Sequence, residues 1–522
     1  MQTVSSILSG VPPLFAELAR TLSGDIDCSN VSLTKYSSDN SPYSIHPQAI
    51  LYPKNATDIQ QIVSFAREYS MPVTVRGGGT SRNGASLGEG IIVDMTRYFT
   101  HIRQINLLEH TITVDAGVNI KTLREKLHGW HVDIPVITSD DDLATIGGLI
   151  ATKSSTPASF HHGTVREWIE AITVVIDNGE EHRIADGITP SGRLLGIYQS
   201  VFPILSKENP IIRAAKPETN DDATGYSLWN TTIGPRQLLD ELVGSEGTLG
   251  VITSVTLRLS PYKEHVVTTS IPITEISLIP ICVDIAKHHK AENIFLYDST
   301  FKNLVDKYNE GLLFSPLSPF VLLVTHHDSD KEKLHAKVRT FIRALPISEE
   351  IITHADDNKS IERITPPSYI THLFNLYTGG SHINITSGDG IIVPLHNYAK
   401  LLHEIDTYLS GTGRLYTITG NAGSGHISVI TSFDPNSPSY ENELNAYNET
   451  LFNYVKKYKG GISAVGGDGL SRTPYLSYVY NEVTLSLFKQ IKEAWDPRTI
   501  FNPGKKIGTT THYLHEHLRS GQ

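Results

Sequence analysis

Six glycines fall within eighteen residues in VTVRGGGTSRNGASLGEG, positions 73–90, directly after a short apolar run. Neither a helix nor a strand interior accommodates them, since each glycine there costs about 0.5–1 kcal/mol relative to alanine. A strand must therefore end at this point and an open loop must follow. Backbone N–H groups in such a loop form a nest suited to an anion, usually a phosphate. Arg76 adds a permanent cation of the kind that pairs with phosphate. Thr80, Ser81 and Asn83 add short hydrogen-bonding side chains. No GxGxxG can be read from Gly77, and no Gly-Lys-Ser/Thr follows, so neither common phosphate motif applies.

From Ala49 the sequence alternates strand and helix patterns. AILYP reads as a strand, and TDIQQIVSFAREY places Ile59, Ile62, Val63, Ala66 and Tyr69 on one helical face. Thr57 and Gln60 have capping-box spacing at its start. PVTV and GIIVDM are further strands around the glycine loop. HTITVDAGV alternates like a half-buried strand, and NIKTLREKL resumes helical spacing. AITVVIDNGEEHRI forms two strand-like runs about Asp177-Asn178-Gly179, a strong hairpin signal. LGVITSVTLRLSP is a strand ending at Pro261, beyond which longer helices and strands take over.

At 522 residues the chain exceeds one ordinary core, and several domains are expected. The divisions fall at 1–45 (an N-terminal helical cap segment), 46–262, 263–510 and a polar, loosely held tail at 511–522. A formal charge of −11 argues against a nucleic-acid partner, which calls for a basic face. Cys28 and Cys282 lie far apart and form neither a disulfide framework nor a metal pattern, consistent with a reducing, cytoplasmic setting. The first twenty residues have no early cation and no long apolar core, so no signal peptide is expected. No run of about eighteen apolar residues occurs; peripheral contact with a membrane stays open.

Two further small-residue stretches accompany the first loop: TIGGLIAT at 145–152 and GSEGTLGVIT at 244–253. Three such stretches among α/β elements suit a long, flat, diphosphate-bearing cofactor. Together with VDAGV, ITVVIDNGE and TGYS, their order resembles the PCMH-type FAD-binding domain of the vanillyl-alcohol-oxidase superfamily. WDPRTIFNPGKK at 495–506 is similar to the closing segment of its FAD-linked oxidase branch, which includes D-lactate, glycolate and D-2-hydroxyglutarate dehydrogenases. The resemblance implies an α+β fold: a two-lobed FAD-binding domain followed by an α+β C-terminal substrate domain. It implies that Arg76, Gly77, Gly78, Gly79, Thr80 and Ser81 wrap the FAD pyrophosphate. By the same resemblance Gly84, Thr145, Gly147, Gly148, Thr152, Gly163 and Ile252 line the cofactor, and Asn502 reaches it from the C-terminal segment. Some members attach FAD through a histidine where Thr80 stands, so a non-covalent FAD is expected. Lys153 and SSTP depart from the family's pattern after TIGG…AT.

The implied reaction moves a hydride from the Cα of a small hydroxy acid while a base takes the hydroxyl proton. The electron acceptor is not encoded in any motif. The metal-using branch carries Gly-His-x-Gly-Asp-Gly-Asn-x-His and a later Glu-His pair. Here GNAGSGHIS, 420–428, places Asn421 and Ser428 where the two histidines stand, with Ser424 for the aspartate and His426 for the asparagine. Val465 and Gly466 replace the Glu-His pair. Neutral oxygens are poor substitutes for imidazole and carboxylate, so no metal of that type is expected. His426 is the candidate base, with a plain strand histidine as the structural alternative, and Arg472 and Lys505 are candidate carboxylate ligands. His161 and His162 are expected to play ordinary structural roles. A second reading keeps the flavin but loses the reaction, leaving a scaffold or regulatory protein. The related alkyl-glycerone-phosphate synthases carry a histidine-rich run that KHHK at 287–290 does not reproduce.

Overall fold

The computed structural model describes residues 11–137, 142–205, 210–219, 221–229, 234–308, 318–356 and 367–519. Three large sheets organise the described residues, with a two-stranded pair, Val132–Asp133 and Ser260–Pro261, beside them. The first has the order Asp25–Asp27, Ala49–Tyr52, Ile91–Asp94, Val73–Arg76. Its last three strands are parallel, and the edge strand Asp25–Asp27 is antiparallel to Ala49–Tyr52. Helix Ala56–Tyr69 makes the crossover between parallel strands, as such a connection requires. It buries Ile59, Ile62, Val63 and Ala66 as the periodicity predicts, whereas Tyr69 is exposed. Its cap is Asn55, whose side chain accepts from the Asp58 N–H; the helix begins one residue before Thr57, so the expected capping box does not form.

The second sheet is antiparallel, ordered Ile102–Asn106, Thr111–Asp115, Val251–Arg258, Ile169–Val175, Glu181–Ala185. Its last pair is the hairpin read from Asp177-Asn178-Gly179, with Gly179 at φ +85°. The third sheet, in the second half, is antiparallel: Thr353–Ala355, His265–Ile273, Phe320–Asp328, Asn293–Asp298, Tyr416–Asn421, His426–Phe433, Ile383–Ile385. A short strand, Ile391–Ile392, also pairs with His426–Phe433.

The chain doubles back at its end. Phe488, Ile491, Trp495, Ile500 and Phe501 are buried in the same apolar core as the first two sheets. Phe501 pairs beside Val73 at the root of the glycine loop: the Val73 N–H donates to Ile500, and the Asn502 N–H donates back to Val73. The final segment is also anchored. Helix Thr511–Glu516 buries Leu514, and the Arg519 N–H and guanidinium donate to carbonyls of Pro42, Tyr43 and Asp39. The expectation of a loose tail is corrected over residues 511–519, because its apolar and cationic side chains find partners in the N-terminal segment. Residues 520–522 and 1–10 lie outside the described residues.

Candidate functional site

A cavity of about 240 Å³ opens between the glycine loop, the 145–156 segment, the 246–252 turn and residues 465–466. Of the residues assigned to the cofactor from the sequence, Gly77, Gly78, Gly79, Thr80, Ser81, Thr145, Gly147, Gly148, Thr152 and Ile252 line it. The backbone there is shaped for close approach. A β-carbon at Gly78 would overlap the Leu143 carbonyl, and Gly79 adopts φ +69°, a conformation that disfavours any other side chain. Thr145 caps helix Ile146–Thr152 by accepting the Gly148 N–H at 3.3 Å, which sets Gly147 and Gly148 on the wall. At Gly148 an added β-carbon would meet only the Thr145 Oγ1, so the space beyond it belongs to the cavity.

Four residues assigned to the cofactor lie elsewhere. Arg76 is turned away: its guanidinium donates to the Tyr36 and Ser38 carbonyls at 3.3 and 2.9 Å and stacks 5.0 Å from the Tyr36 ring. It binds the N-terminal segment instead of an anion, which leaves phosphate recognition to backbone and hydroxyls. Asn502 is sealed, with its amide donating to Ala85 and Glu246 carbonyls and its oxygen accepting from Thr74. Gly84 faces Leu470, and Gly163 ends the short helix Ser159–His162 beside Glu167.

Glu246, on the cavity wall at φ +55°, anchors a polar network that the sequence did not reveal. Its carboxylate accepts from the Asp468 and Gly469 N–H groups and from Lys506. Lys506 is fully buried and also bridges to Asp468 at 2.9 Å. Burial opposes the Lys506 charge, but the two carboxylates outweigh it and lift its pKa. The first half, the 463–476 segment and the C-terminal segment are thus pinned at one point.

The proposed base is not on the cavity. His426 is buried on its strand, where its Nδ1 accepts the Asn421 N–H at 3.2 Å and its Nε2 donates to the Asp389 carbonyl at 2.9 Å. Burial lowers its pKa. Both ring nitrogens are occupied, so the assignment of His426 as base is corrected to a structural role. The two candidate carboxylate ligands are corrected likewise. Arg472 is fully buried and donates to the Ser387, Thr386, Val465 and Gly467 carbonyls. Lys505 donates to Leu87 and Pro503 carbonyls, and burial pushes it down to about 8.

The positions of the family's metal ligands are also bound up. The Asn421 amide donates to the Thr156 carbonyl, and the Ser428 hydroxyl to Asp389. Val465 and Gly466 line the cavity without a donor side chain. This set offers no imidazole or carboxylate, and the residues do not fit a transition metal there.

Sequence reasoning missed Arg82. Arg82 lines the cavity; its guanidinium pairs through Nη2 with Asp389 of the second half, and its Nη1 is buried with no hydrogen-bond partner. A lone arginine inside a glycine loop reads as solvated; only Asp389, 307 positions away in sequence, fixes it over the cavity. The departure at Lys153-Ser-Ser also has a place. Lys153 caps its helix at φ +45° and donates to the Asp222 carbonyl, and Ser154 and Ser155 line the wall.

Two family models match the chain: "FAD binding domain" over residues 47–185 and "FAD linked oxidases, C-terminal domain" over 274–506. D-2-hydroxyglutarate dehydrogenase of Pseudomonas putida is 26% identical over 94% of this chain and 52% of that protein. Mitochondrial D-lactate dehydrogenase [cytochrome] of Arabidopsis thaliana is 23% identical over 88% of this chain and 73% of that protein. Glycolate oxidase subunit GlcD of Bacillus subtilis is 25% identical over 92% and 93%. The chain spans about half the length of the D-2-hydroxyglutarate dehydrogenases of Pseudomonas putida, Pantoea ananatis and Escherichia coli that it matches. Among solved structures, 4-ethylphenol oxidase from Gulosibacter chungangensis superposes with a TM-score of 0.68 at 16% identity, covering 98% of each chain. An alkyldihydroxyacetonephosphate synthase gives 0.65 at 15% identity, covering 95% of this chain and 85% of that one. At these identities the two structures show the fold alone. Eight glycines on the cavity wall let a ligand approach the backbone closely, as the cofactor of the matched FAD-binding model requires.

Proposed function

Because the chain belongs to the PCMH-type FAD-linked oxidase family, we propose that it is an FAD-dependent oxidoreductase acting on the CH–OH group of a small 2-hydroxy acid. The observation that carries this reading is the placement of Arg82 on the same cavity as the three small-residue loops. Bound FAD would supply the two-electron acceptor. Gly77, Gly78, Gly79, Thr80, Ser81, Gly147, Gly148 and Thr152 would hold it without a covalent link, since Thr80 offers no ring nitrogen. Arg82 would orient the substrate carboxylate through its unpartnered Nη1, a charge-assisted bond of the type arginine forms best. No metal enters the reaction at 421–428 or 465–466. The names of the relatives, which specify D-2-hydroxyglutarate, D-lactate and glycolate, support a 2-hydroxy acid as the substrate class.

A second reading is favoured by one specific observation. Among the described residues, Arg82 and Glu246 are the ionisable ones on the cavity wall, and Glu246 is sealed by Lys506. With no side-chain base at hand, a flavin-binding protein that has lost its reaction fits the same geometry. Anaerobic mixing of the FAD-loaded protein with D-lactate, glycolate and D-2-hydroxyglutarate separates the two. Bleaching of the visible flavin band by one acid, with its apparent affinity weakened at least tenfold in Arg82→Met, is the expected outcome. A yellow protein that dithionite reduces and no acid does supports the scaffold reading and rejects the first.

Among the described residues no helix is long and apolar enough to cross a membrane. Cys28 and Cys282 are both free thiols, which fits the proposed reducing compartment. The acidic charge keeps nucleic acid out of the reading.

A further inference from the structure

Away from the cavity, two histidines of the first half meet a glutamate of the second. His161 and His162 end the short helix Ser159–His162, whose Phe160 ring packs on Gly423. Glu292 enters strand Asn293–Asp298, with its N–H donating to the Thr325 carbonyl. His162 Nε2 lies 2.5 Å from Glu292 Oε2, and Lys263 holds the other carboxylate oxygen. The two imidazole rings stand edge to face, 4.5 Å between centroids. One donor atom from each of His161, His162 and Glu292 lies within 4.8 Å of the others. The cluster is graded in depth: Glu292 is buried, His162 half-buried and His161 exposed.

We propose that His161, His162 and Glu292 form a binding site for one zinc-type divalent ion that ties the two halves of the chain together. The chemistry of the donors selects the ion. Two imidazole nitrogens and one carboxylate oxygen are the set that zinc takes at about 2.0–2.2 Å, with water filling a fourth, open position. Hard ions such as Ca²⁺ and Mg²⁺ prefer six or more oxygens and find one carboxylate here. The Nε2 proton of His162 gives way to the ion, and the pair opens to the roughly 3.3 Å that tetrahedral ligands span at such bond lengths. The exposed His161 ring closes over it by side-chain rotation, so an ion enters from solvent without moving the backbone. The His162 carbonyl is fixed by the Trp168 indole N–H at 3.0 Å, which keeps the ligating turn in place.

The test uses the full-length protein stripped with a chelator and titrated with ZnCl₂ by calorimetry, with elemental analysis after gel filtration. The expected result is one zinc per chain with a Kd at or below the micromolar range. His161→Ala, whose side chain is exposed and whose loss spares the fold, is expected to weaken it at least tenfold, and His161→Ala/His162→Ala to abolish it. A second readout is Cu²⁺ quenching of Trp168, whose ring centroid lies 6.2 Å from that of His162. Quenching is expected in the native chain and not in the double variant. Absence of a stoichiometric zinc, or zinc retained undiminished by the double variant, overturns the proposal.

Discussion

The loops RGGGTSRNG, 76–84, and GNAGSGHIS, 420–428, are both rich in glycine and small polar residues and have opposite fates. The first keeps Gly77 through Arg82 on a cavity. The second spends its polar side chains on its own protein: Asn421 on Thr156, Ser428 on Asp389, and His426 on Asn421 and Asp389. None of those three lines the cavity. Glycine content sets where a chain can bend, and it does not set whether side chains beside the bend remain free. In the first loop the departing strand leaves the backbone facing open space. In the second, a tight turn between paired strands folds each side chain back onto a neighbour.

That contrast is broken most forcefully at the network behind the cavity. Lys506→Met strands the Glu246 and Asp468 carboxylates without their buried cation, and is expected to cost about 3–5 kcal/mol of stability, read by urea unfolding. A soluble variant unchanged in midpoint would show that the pin does not hold the first half to the second.

Gly148→Leu probes the first loop's partner helix. The added side chain finds room only in the cavity, so FAD affinity is expected to fall at least 100-fold, about 2.7 kcal/mol, while far-UV circular dichroism stays native. Retained yellow colour at native affinity would move the cofactor elsewhere.

His426→Ala tests the second loop. The Asn421 N–H and Asp389 carbonyl lose their partner inside the protein, and about 1–3 kcal/mol of stability is expected to go with it. The rate at which the loaded protein is reduced should stay within threefold of native; a loss of a thousandfold would restore His426 as base.

A last contrast separates the halves by pH. Burial pushes His326 down to about 3 and His327 to about 4, both on strand Phe320–Asp328. Each is neutral when folded and takes a proton when unfolded below about pH 6.5. Their contribution is therefore intact above that pH and declines by about 1.4 kcal/mol per pH unit for each histidine as pH falls toward 4. Urea midpoints at pH 7 and pH 5 measure it, and His326→Leu should flatten the slope. An identical slope in that variant would place the acid sensitivity outside this strand.

The residues of the chain by themselves determined its alternation of strands and helices, the hairpin at Asp177-Asn178-Gly179 and the three small-residue stretches that build the cavity. Periodicity and glycine are local signals, and they survive folding because the backbone obeys them residue by residue. The roles of the polar side chains were decided by tertiary structure. Arg76 and Asn502 sit in motifs that point to a ligand, yet partners from distant segments claim them first. Arg82 and the pair His161–His162 carry little local signal and gain theirs from Asp389 and Glu292. A buried polar group must be satisfied by whichever donor or acceptor packing brings closest. That choice is made between segments hundreds of residues apart, after the backbone has taken the course its own sequence set.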